Sequence, residues 1–250
     1  MDQRNAIKML GVRIDLVDSS SLSDVFEKWL CDGGAMRHVV TVNPEYIMEA
    51  QKNTPFQECL DASVLALADG VGLLYAAKYR YGHSLHRITG VDAALALANI
   101  CARTGKSIYL LGAAQGVAQR AAQDLVRRYP SLHIAGVEQG PIVDSAKLDK
   151  EVCERIVKSR ADALLVAFGS PAQDLWIRRH SSLLQGVKIA MGVGGTFDYL
   201  AGVVPRAPSF VRLLGLEWLY RLIRQPWRWR RIGTAVILFP LAVLFSKKGA

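Results

Sequence analysis

The sequence predicts an α/β protein in which a mostly parallel sheet carries helices on both faces and is followed by a helical, basic and apolar C-terminal appendage. Two observations predict the sheet. Short apolar runs without alternation are typical of strands that are covered on both faces. Helix-length segments separate these runs, which is the order of βαβ units with right-handed crossovers. We therefore expect a Rossmann-like domain over residues 1–201 and a membrane-associating appendage over residues 202–250.

Six apolar runs are predicted to form the strands of this sheet. They cover residues 39–42, 64–68, 108–111, 133–137, 163–168 and 188–191. Apolar residues at helical spacing predict helices over residues 91–103, 117–129, 144–159 and 172–184. Residues 9–17 alternate between apolar and polar side chains, which favours a short hairpin or an edge strand beside the sheet.

Composition and charge limit the class of protein and its partners. The chain has 250 residues, 51% of them hydrophobic, and a mean hydropathy of +0.17, which excludes a disordered chain. The formal net charge is +9, and nine basic residues against the single acid Glu217 lie from Pro205 onward. A nearly neutral body with a basic appendage predicts an anionic partner, either nucleic acid, a phosphorylated ligand or acidic lipid.

The cysteines and the N-terminus indicate the compartment. Cys31, Cys59, Cys101 and Cys153 are scattered and form no C-x-x-C pair, so we expect neither a disulfide framework nor a zinc knuckle. The polar first residues are not followed by an apolar segment typical of a secretory signal. We expect the protein to stay in the cytosol or on the cytosolic side of a membrane.

Candidate functional residues lie where the predicted strands end, because loops there lead into helix N-termini that can hold phosphate. Asp69 directly follows one strand and is either a catalytic carboxylate or the N-cap of the next helix. Three glycines in four positions, Gly192, Gly194 and Gly195, favour the approach of a ligand to the backbone. The turn that starts at Gly112 lacks the G-x-G-x-x-G spacing and serves either a diphosphate or close packing.

Other common sites are absent from the sequence. His83 and His86 are three residues apart, but no third ligand is near and we expect both on the surface. The chain has no D-x-D motif, so no metal site is predicted. The G-x-S-x-G motif of many hydrolases is also missing.

The appendage combines an amphipathic segment, a Trp–Arg segment and an apolar stretch. The uncharged residues 232–245 contain Pro240 and would span about 21 Å as a helix, against a hydrocarbon core of ~30 Å. Basic residues flank this stretch, and Trp227 and Trp229 alternate with arginines before it. These features favour a segment that lies in one leaflet over the alternative of a buried core helix.

The strand-end motifs together resemble the WecG/TagA/CpsF glycosyltransferases, glycosyltransferase family 26. The motifs, in chain order, are TVNPE from Thr41, ADGVG from Ala68, RITGVD from Arg87, GSPAQDLW from Gly169, GVGGTFD from Gly192, RAP from Arg206 and GLEWLYRL from Gly215. They follow the family order over most of the chain. Ala172 and Asp174 depart from the family, which often has a basic residue and a Glu there.

The resemblance implies an inverting, metal-independent enzyme that uses no cofactor. It implies transfer of a sugar (N-acetylmannosamine, its uronic acid or a hexose) from a UDP-sugar to a saccharide on undecaprenyl diphosphate, in cell-surface polysaccharide synthesis. The expected location is the cytoplasmic face of the inner membrane, where the enzyme is peripheral or monotopic and binds an anionic lipid surface. No nucleic acid partner is expected, and homo-oligomer formation is left open.

The resemblance also implies roles for particular residues. Asp69 would be the catalytic base, Thr41 and Asn43 would line the active site, and Gln173 would lie at the donor pocket. An Asp ordinarily titrates near ~3.9, so its carboxylate could accept a proton from a sugar hydroxyl at neutral pH. The expected substrate-binding residues are Arg87, Gly112, Gln173, Gly192, Gly194, Gly195, Asp198, Arg206, Arg212, Arg221 and Arg224.

Two other classes of function remain as alternatives at this stage. A nucleotide-dependent oxidoreductase would use the same type of sheet, but the dinucleotide fingerprint is missing. A non-catalytic module that binds membrane or nucleic acid would use the basic appendage, but it would leave Asp69 and the glycine turns without a purpose.

Overall fold

The computed structural model describes residues 6–139, 146–205, 207–208, 211 and 215–246. The described residues form a six-stranded parallel sheet in the order β4-β3-β8-β7-β5-β6. Its strands are β3 (Arg37–Val42), β4 (Leu65–Ala68), β5 (Ser107–Gly112), β6 (His133–Glu138), β7 (Ala163–Ala167) and β8 (Ile189–Gly192). The predicted α/β class and all six predicted strands are confirmed.

The predicted hairpin is also confirmed, and it forms a separate two-stranded sheet from β1 (Ala6–Met9) and β2 (Val12–Asp15). The apolar side chains of both strands are buried beside the main sheet. The Asp15 carboxylate accepts a hydrogen bond of 2.7 Å from the backbone N–H of Ala66. This bond covers part of the edge of β4, where an N–H group would otherwise face outward.

Helices cover both faces of the sheet. They are α1 (Ser19–Cys31), α2 (Pro44–Ala50), α3 (Thr54–Asp61), α4 (Val71–Ala76), α5 (Gly90–Thr104), α6 (Val117–Arg128), α7 (Ala146–Lys158), α8 (Ala172–His180) and α9 (Thr196–Leu200). Alternate residues of β7 enter different cores, with Leu165 on one face and Leu164 and Val166 on the other. Burial on both faces explains why the strand sequences are apolar without alternation.

The described part of the appendage is helical. It consists of α10 (Glu217–Arg224), a 3-10 turn (Pro226–Arg228), α11 (Trp229–Gly233), a π turn (Thr234–Leu238) and α12 (Phe239–Phe245). A proline inside a helix lacks the N–H that would bond the carbonyl four residues back, and helices commonly kink or widen at such a point. The π turn ends two residues before Pro240, and residues 229–245 stay helical through the proline.

The inner face of α12 belongs to the protein core. Phe239 and Val243 are buried together with Tyr46 and Leu73, and α12 packs against α2 and α4. The guanidinium of Arg80 donates a hydrogen bond to the carbonyl of Ser246, just beyond the helix. The expectation that residues 232–245 lie in a leaflet rather than in the core is therefore wrong for this inner face. The sequence could not distinguish the buried face from the exposed face, because apolar residues occupy both faces of this segment.

The outer face of the same segment is exposed and apolar. Ile237, Leu238, Leu241, Leu244 and Phe245 all present apolar side chains to solvent. No helix in the described part of the chain is both long and apolar enough to cross a membrane.

One phenylalanine on each face of α12 allows a matched test of whether the inner face of this helix is part of the core. Phe239 is 0% exposed and Phe245 is 85% exposed. We expect Phe239→Ala to lower the free energy of unfolding by about 3 kcal/mol or more, because it opens a cavity in the core. Phe245→Ala is the control and should change it by no more than about 0.5 kcal/mol. Urea denaturation followed by circular dichroism measures both, and equal values would contradict the docking of α12 on the body.

Candidate active site

A cavity of about 390 Å³ lies at the carboxyl ends of the parallel strands. Residues that follow β3, β4, β5, β7 and β8 line it, which places it in the crevice where open α/β sheets bind ligands. The appendage closes one side with Glu217, Arg228 and Arg231. The cavity, called the polar cavity below, is therefore built from both parts of the chain.

Asp69 lies in the wall of this cavity, directly after β4. Its backbone N–H donates a hydrogen bond of 2.7 Å to the carbonyl of Val42 at the end of β3. The alternative role as the N-cap is wrong, because Gly70 occupies that position of α4. Asp69 lies in the wall of the cavity, one residue before the N-cap.

Thr41 and Asn43 also line the polar cavity. Thr41 is buried near the end of β3. Asn43 is the N-cap of α2, since its side-chain oxygen accepts a hydrogen bond of 3.0 Å from the N–H of Tyr46. This bond fixes the loop after β3. Asn43 therefore caps α2 and also lines the cavity.

Gln173 lines the polar cavity but is almost fully buried. Its side-chain oxygen accepts a hydrogen bond of 2.9 Å from the N–H of Gly194. Its NH₂ group donates one of 2.9 Å to the hydroxyl of Tyr46. Gln173 therefore ties the loop after β8 to α2, and it shapes the cavity from behind.

Asp174 lies behind Gln173 and is 0% exposed. The Tyr46 hydroxyl donates a hydrogen bond of 2.7 Å to one carboxylate oxygen, and His38 Nε2 lies 3.3 Å from the other. Burial, and then the charge of Asp174, raise the pKa of Tyr46 well above its ordinary value. The phenol stays protonated and donates to the carboxylate at any working pH.

The glycines that were predicted to contact a ligand fall into two groups. Gly194 and Gly195 line the polar cavity. Gly112 and Gly192 are not among the described residues that line it. A Cβ atom on Gly112 would lie 2.8 Å from the carbonyl of Ala167, and one on Gly192 would lie 2.6 Å from the side chains of Gln173 and Asp174. Close packing, rather than a ligand, therefore requires glycine at these two positions.

Two ion pairs connect described residues of the body and the appendage at the rim. Arg87 Nη2 lies 2.6 Å from Glu217 Oε2. Arg231 Nη2 lies 2.6 Å from Glu45 Oε2, and its Nε donates to the same oxygen at 2.7 Å. All four side chains line the polar cavity.

A second aspartate, Asp198, lines the polar cavity on the side of β8. Burial raises the pKa of Asp198, and the positive charge of Arg228 opposes that rise. Arg228 thus lies close enough to act on charge inside the cavity.

The appendage arginines that line the polar cavity in the described part of the chain are not the four that were predicted to bind substrate. Arg206 and Arg212 lie outside the described residues, and for Arg221 only the backbone, in α10, is described. Arg224 is exposed, with its guanidinium 5.7 Å from the ring centroid of Tyr220, and it is not among the described residues that line the cavity. Arg228 and Arg231 line it instead. Their spacing of three residues is shared by Arg221 and Arg224, so no signal in the sequence singles them out.

Histidines and acidic residues form no metal centre in the described ranges. His83 and His86 are exposed, as expected. No group of three or more His, Cys, Asp or Glu side chains that could hold a metal ion occurs within residues 6–139, 146–205 and the described part of the appendage.

A parallel sheet with a carboxylate, a glycine turn and several arginines at its carboxyl end is typical of an enzyme that acts on a phosphorylated ligand. The chain belongs to the glycosyl transferase WecG/TagA/CpsF family, whose model matches residues 7–250. The family that the strand-end motifs resemble is thereby confirmed.

Three relatives share the printed name N-acetylglucosaminyldiphosphoundecaprenol N-acetyl-beta-D-mannosaminyltransferase. The protein of Bacillus spizizenii is 34% identical over 222 residues, which cover 88% of this chain and 84% of the relative. The protein of Bacillus subtilis is 32% identical over 229 residues, or 92% of this chain and 87% of the relative. The protein of Staphylococcus aureus (strain MRSA252) is 32% identical over 195 residues, or 78% and 74%.

Proposed function

We propose that this protein is an inverting glycosyltransferase that moves a sugar from a UDP-sugar to a saccharide carried on undecaprenyl diphosphate. The names of the relatives favour an N-acetylmannosaminyl group as the sugar and an N-acetylglucosaminyl diphosphate lipid as the acceptor. The observation that carries the proposal is the position of Asp69 in a cavity whose rim bears Arg87, Arg228 and Arg231. A base and several cations around one cavity are the groups that this transfer requires.

In the proposed reaction Asp69 acts as the general base. The acceptor hydroxyl oxygen attacks the anomeric carbon from the face opposite the UDP group, and Asp69 takes the hydroxyl proton. The bond between the anomeric carbon and the diphosphate oxygen breaks, and its electron pair leaves with UDP. Attack opposite the leaving group inverts the anomeric configuration.

The leaving diphosphate gains negative charge as this bond breaks. Arginine side chains that are already held around the cavity can stabilise that charge without reorganising in the transition state. Arg228 and Arg231 come from the appendage, and Arg87 comes from the loop before α5. We propose that these side chains, without a divalent ion, stabilise the leaving group.

The lipid-linked acceptor places the proposed reaction at a membrane surface. We propose that the enzyme attaches as a peripheral or monotopic protein to the cytoplasmic face. The exposed apolar side chains of residues 237–245 and the exposed Trp227 and Trp229 support this attachment. Tryptophan and arginine next to an apolar surface are typical of segments that lie in the membrane interface.

The role of Asp69 is tested by Asp69→Asn. The variant keeps the shape of the side chain but cannot accept the proton, so turnover should fall by ~10²-fold or more while UDP binding changes little. Asp61→Asn is the control, since Asp61 is an exposed aspartate at the end of α3. Initial-rate assays with a UDP-sugar and a lipid-linked saccharide measure both. Turnover near the wild-type value in Asp69→Asn would remove Asp69 from the mechanism.

The role of the cavity arginines is tested by Arg228→Gln. Loss of one preorganised positive group should lower kcat/KM by about 10²-fold. Arg230→Gln is the control, because Arg230 is exposed with its guanidinium over the Trp229 ring.

The assays contain EDTA, under which the wild-type enzyme should keep full activity. Loss of wild-type activity on chelation, restored by Mg²⁺ or Mn²⁺, would contradict the assignment of leaving-group stabilisation to arginines.

Membrane attachment is tested by Leu244→Glu. Leu244 is 68% exposed on α12, and Leu148 on α7 is 43% exposed and serves as the control in Leu148→Glu. Each buried CH₂ group contributes ~0.8 kcal/mol to membrane binding, so Leu244→Glu should weaken binding at least about tenfold. Co-sedimentation with vesicles that contain anionic lipid measures this. Equal binding of both variants would show that α12 does not contact the bilayer.

A further inference from the structure

We propose that a second cavity beside Asp69 holds the polyprenyl end of the lipid-linked acceptor; this inference rests on the proposed function. The second cavity has a volume of about 420 Å³, which is within the range of small-molecule sites, roughly 300–1,000 Å³. It lies between α4, the start of α10 and the helical residues 232–240. Its walls are chiefly apolar, with Val71, Tyr75, Leu216, Trp218, Ile232 and Val236. It is called the apolar cavity below.

The two cavities meet at the candidate base. Asp69, Arg87 and Glu217 line both of them, as do Asn43 and Glu45. Asp198, Gly194, Arg228 and Arg231 line the polar cavity and are not among the described residues that line the apolar one. A base that deprotonates the acceptor hydroxyl must lie beside that hydroxyl, at the place where the acceptor meets the donor sugar. The polar cavity suits a nucleotide sugar, so the acceptor approaches Asp69 from the apolar side.

The occupant of the apolar cavity must be partly apolar itself. The aliphatic walls of valine, leucine and isoleucine favour a hydrocarbon occupant over a free saccharide or a nucleotide, because each buried CH₂ of a polyprenyl chain contributes ~0.8 kcal/mol. The lipid acceptor also carries a diphosphate between its sugar and its chain. Arg87 lines both cavities and is held in place by Glu217, so it lies between the leaving diphosphate of the donor and the diphosphate of the acceptor and can contact both.

The rim of the apolar cavity continues into the exposed face of the appendage. Tyr75, Trp218, Val236 and Pro240 line the cavity and are themselves exposed. Val236 and Pro240 lie on the same helical segment as the exposed Ile237 and Leu241. A chain that enters from a bilayer against this segment would meet apolar side chains along its path to the cavity. The surface that we propose to contact the membrane and the proposed acceptor entrance are therefore continuous.

The test compares two acceptors that share one headgroup. One carries N-acetylglucosaminyl diphosphate on undecaprenol, and the other carries it on a short, water-soluble alkyl chain. Ala235→Phe narrows the apolar cavity, because Ala235 is half-buried in its wall. We expect the ratio of kcat/KM for the long acceptor to that for the short acceptor to fall at least tenfold, with KM for the long acceptor as the main change.

Controls separate this effect from damage to the fold. Ala242→Phe makes the same substitution in α12 at a half-buried position that is not among the described residues of the cavity wall, and it should keep the wild-type ratio. Val236→Asn is a second variant at a partly exposed position of the wall, which a polar side chain can occupy without unfolding the protein. It should lower the ratio in the same direction, and thermal unfolding with UDP checks the folding of each variant.

The outcomes distinguish the two levels of the proposal. If the wild-type enzyme transfers sugar to both acceptors but Ala235→Phe and Val236→Asn keep the wild-type ratio, the apolar cavity does not hold the chain. If the wild-type enzyme transfers sugar to neither acceptor, the proposed function itself is wrong, and this inference falls with it.

Discussion

The buried carboxylate of Asp174 is the constraint that organises the carboxyl end of the sheet. A charge at this depth is tolerated only where hydrogen bonds replace its lost hydration. The hydroxyl of Tyr46 on α2 and the ring of His38 on β3 lie within hydrogen-bond distance of its two oxygens. Through Tyr46 and Gln173 the same chain of bonds reaches Gly194 after β8. The segments that follow β3 and β8 are thus connected to α8 by hydrogen bonds within the protein.

The appendage contributes to stability and to the site through different faces of one helical segment. Phe239 and Val243 bury its inner face in the core of the body. Arg231 points to Glu45 at the rim of the polar cavity, and the outward residues of α12 remain exposed and apolar. Because one segment carries core, rim and outer surface, its docking and the geometry of the site depend on each other. The boundary between a catalytic domain and an appendage at residue 201 therefore stays a proposal about function. The hydrophobic core contains residues from both sides of this boundary.

Sequence patterns predicted the sheet well, because doubly covered strands appear as short, continuous apolar runs between helix-length segments, and this pattern is local in the sequence. They failed where the role of a residue depends on which residues, distant in the sequence, lie next to it in the fold. Gly112 and Gly192 look like ligand-binding glycines until Ala167, Gln173 and Asp174 are seen against them. Residues 232–245 are apolar on every side, so their sequence could not show that Phe239 enters the core and Phe245 does not. Arg228 and Arg231 were visible as part of a basic segment, but only the fold shows which arginines of that segment reach the cavity.

Two aspartates line the polar cavity, and their surroundings support different roles. Burial raises the pKa of Asp198, and the positive charge of Arg228 opposes this rise. Of the polar and the apolar cavity, Asp198 lines only the polar one, whereas Asp69 lines both. A base must reach the acceptor hydroxyl while that hydroxyl faces the anomeric carbon, so a position at the junction of the two cavities suits it better than a position in the polar cavity alone. We therefore assign the base to Asp69 and place Asp198 on the donor side, next to the arginine that we propose to meet the leaving diphosphate.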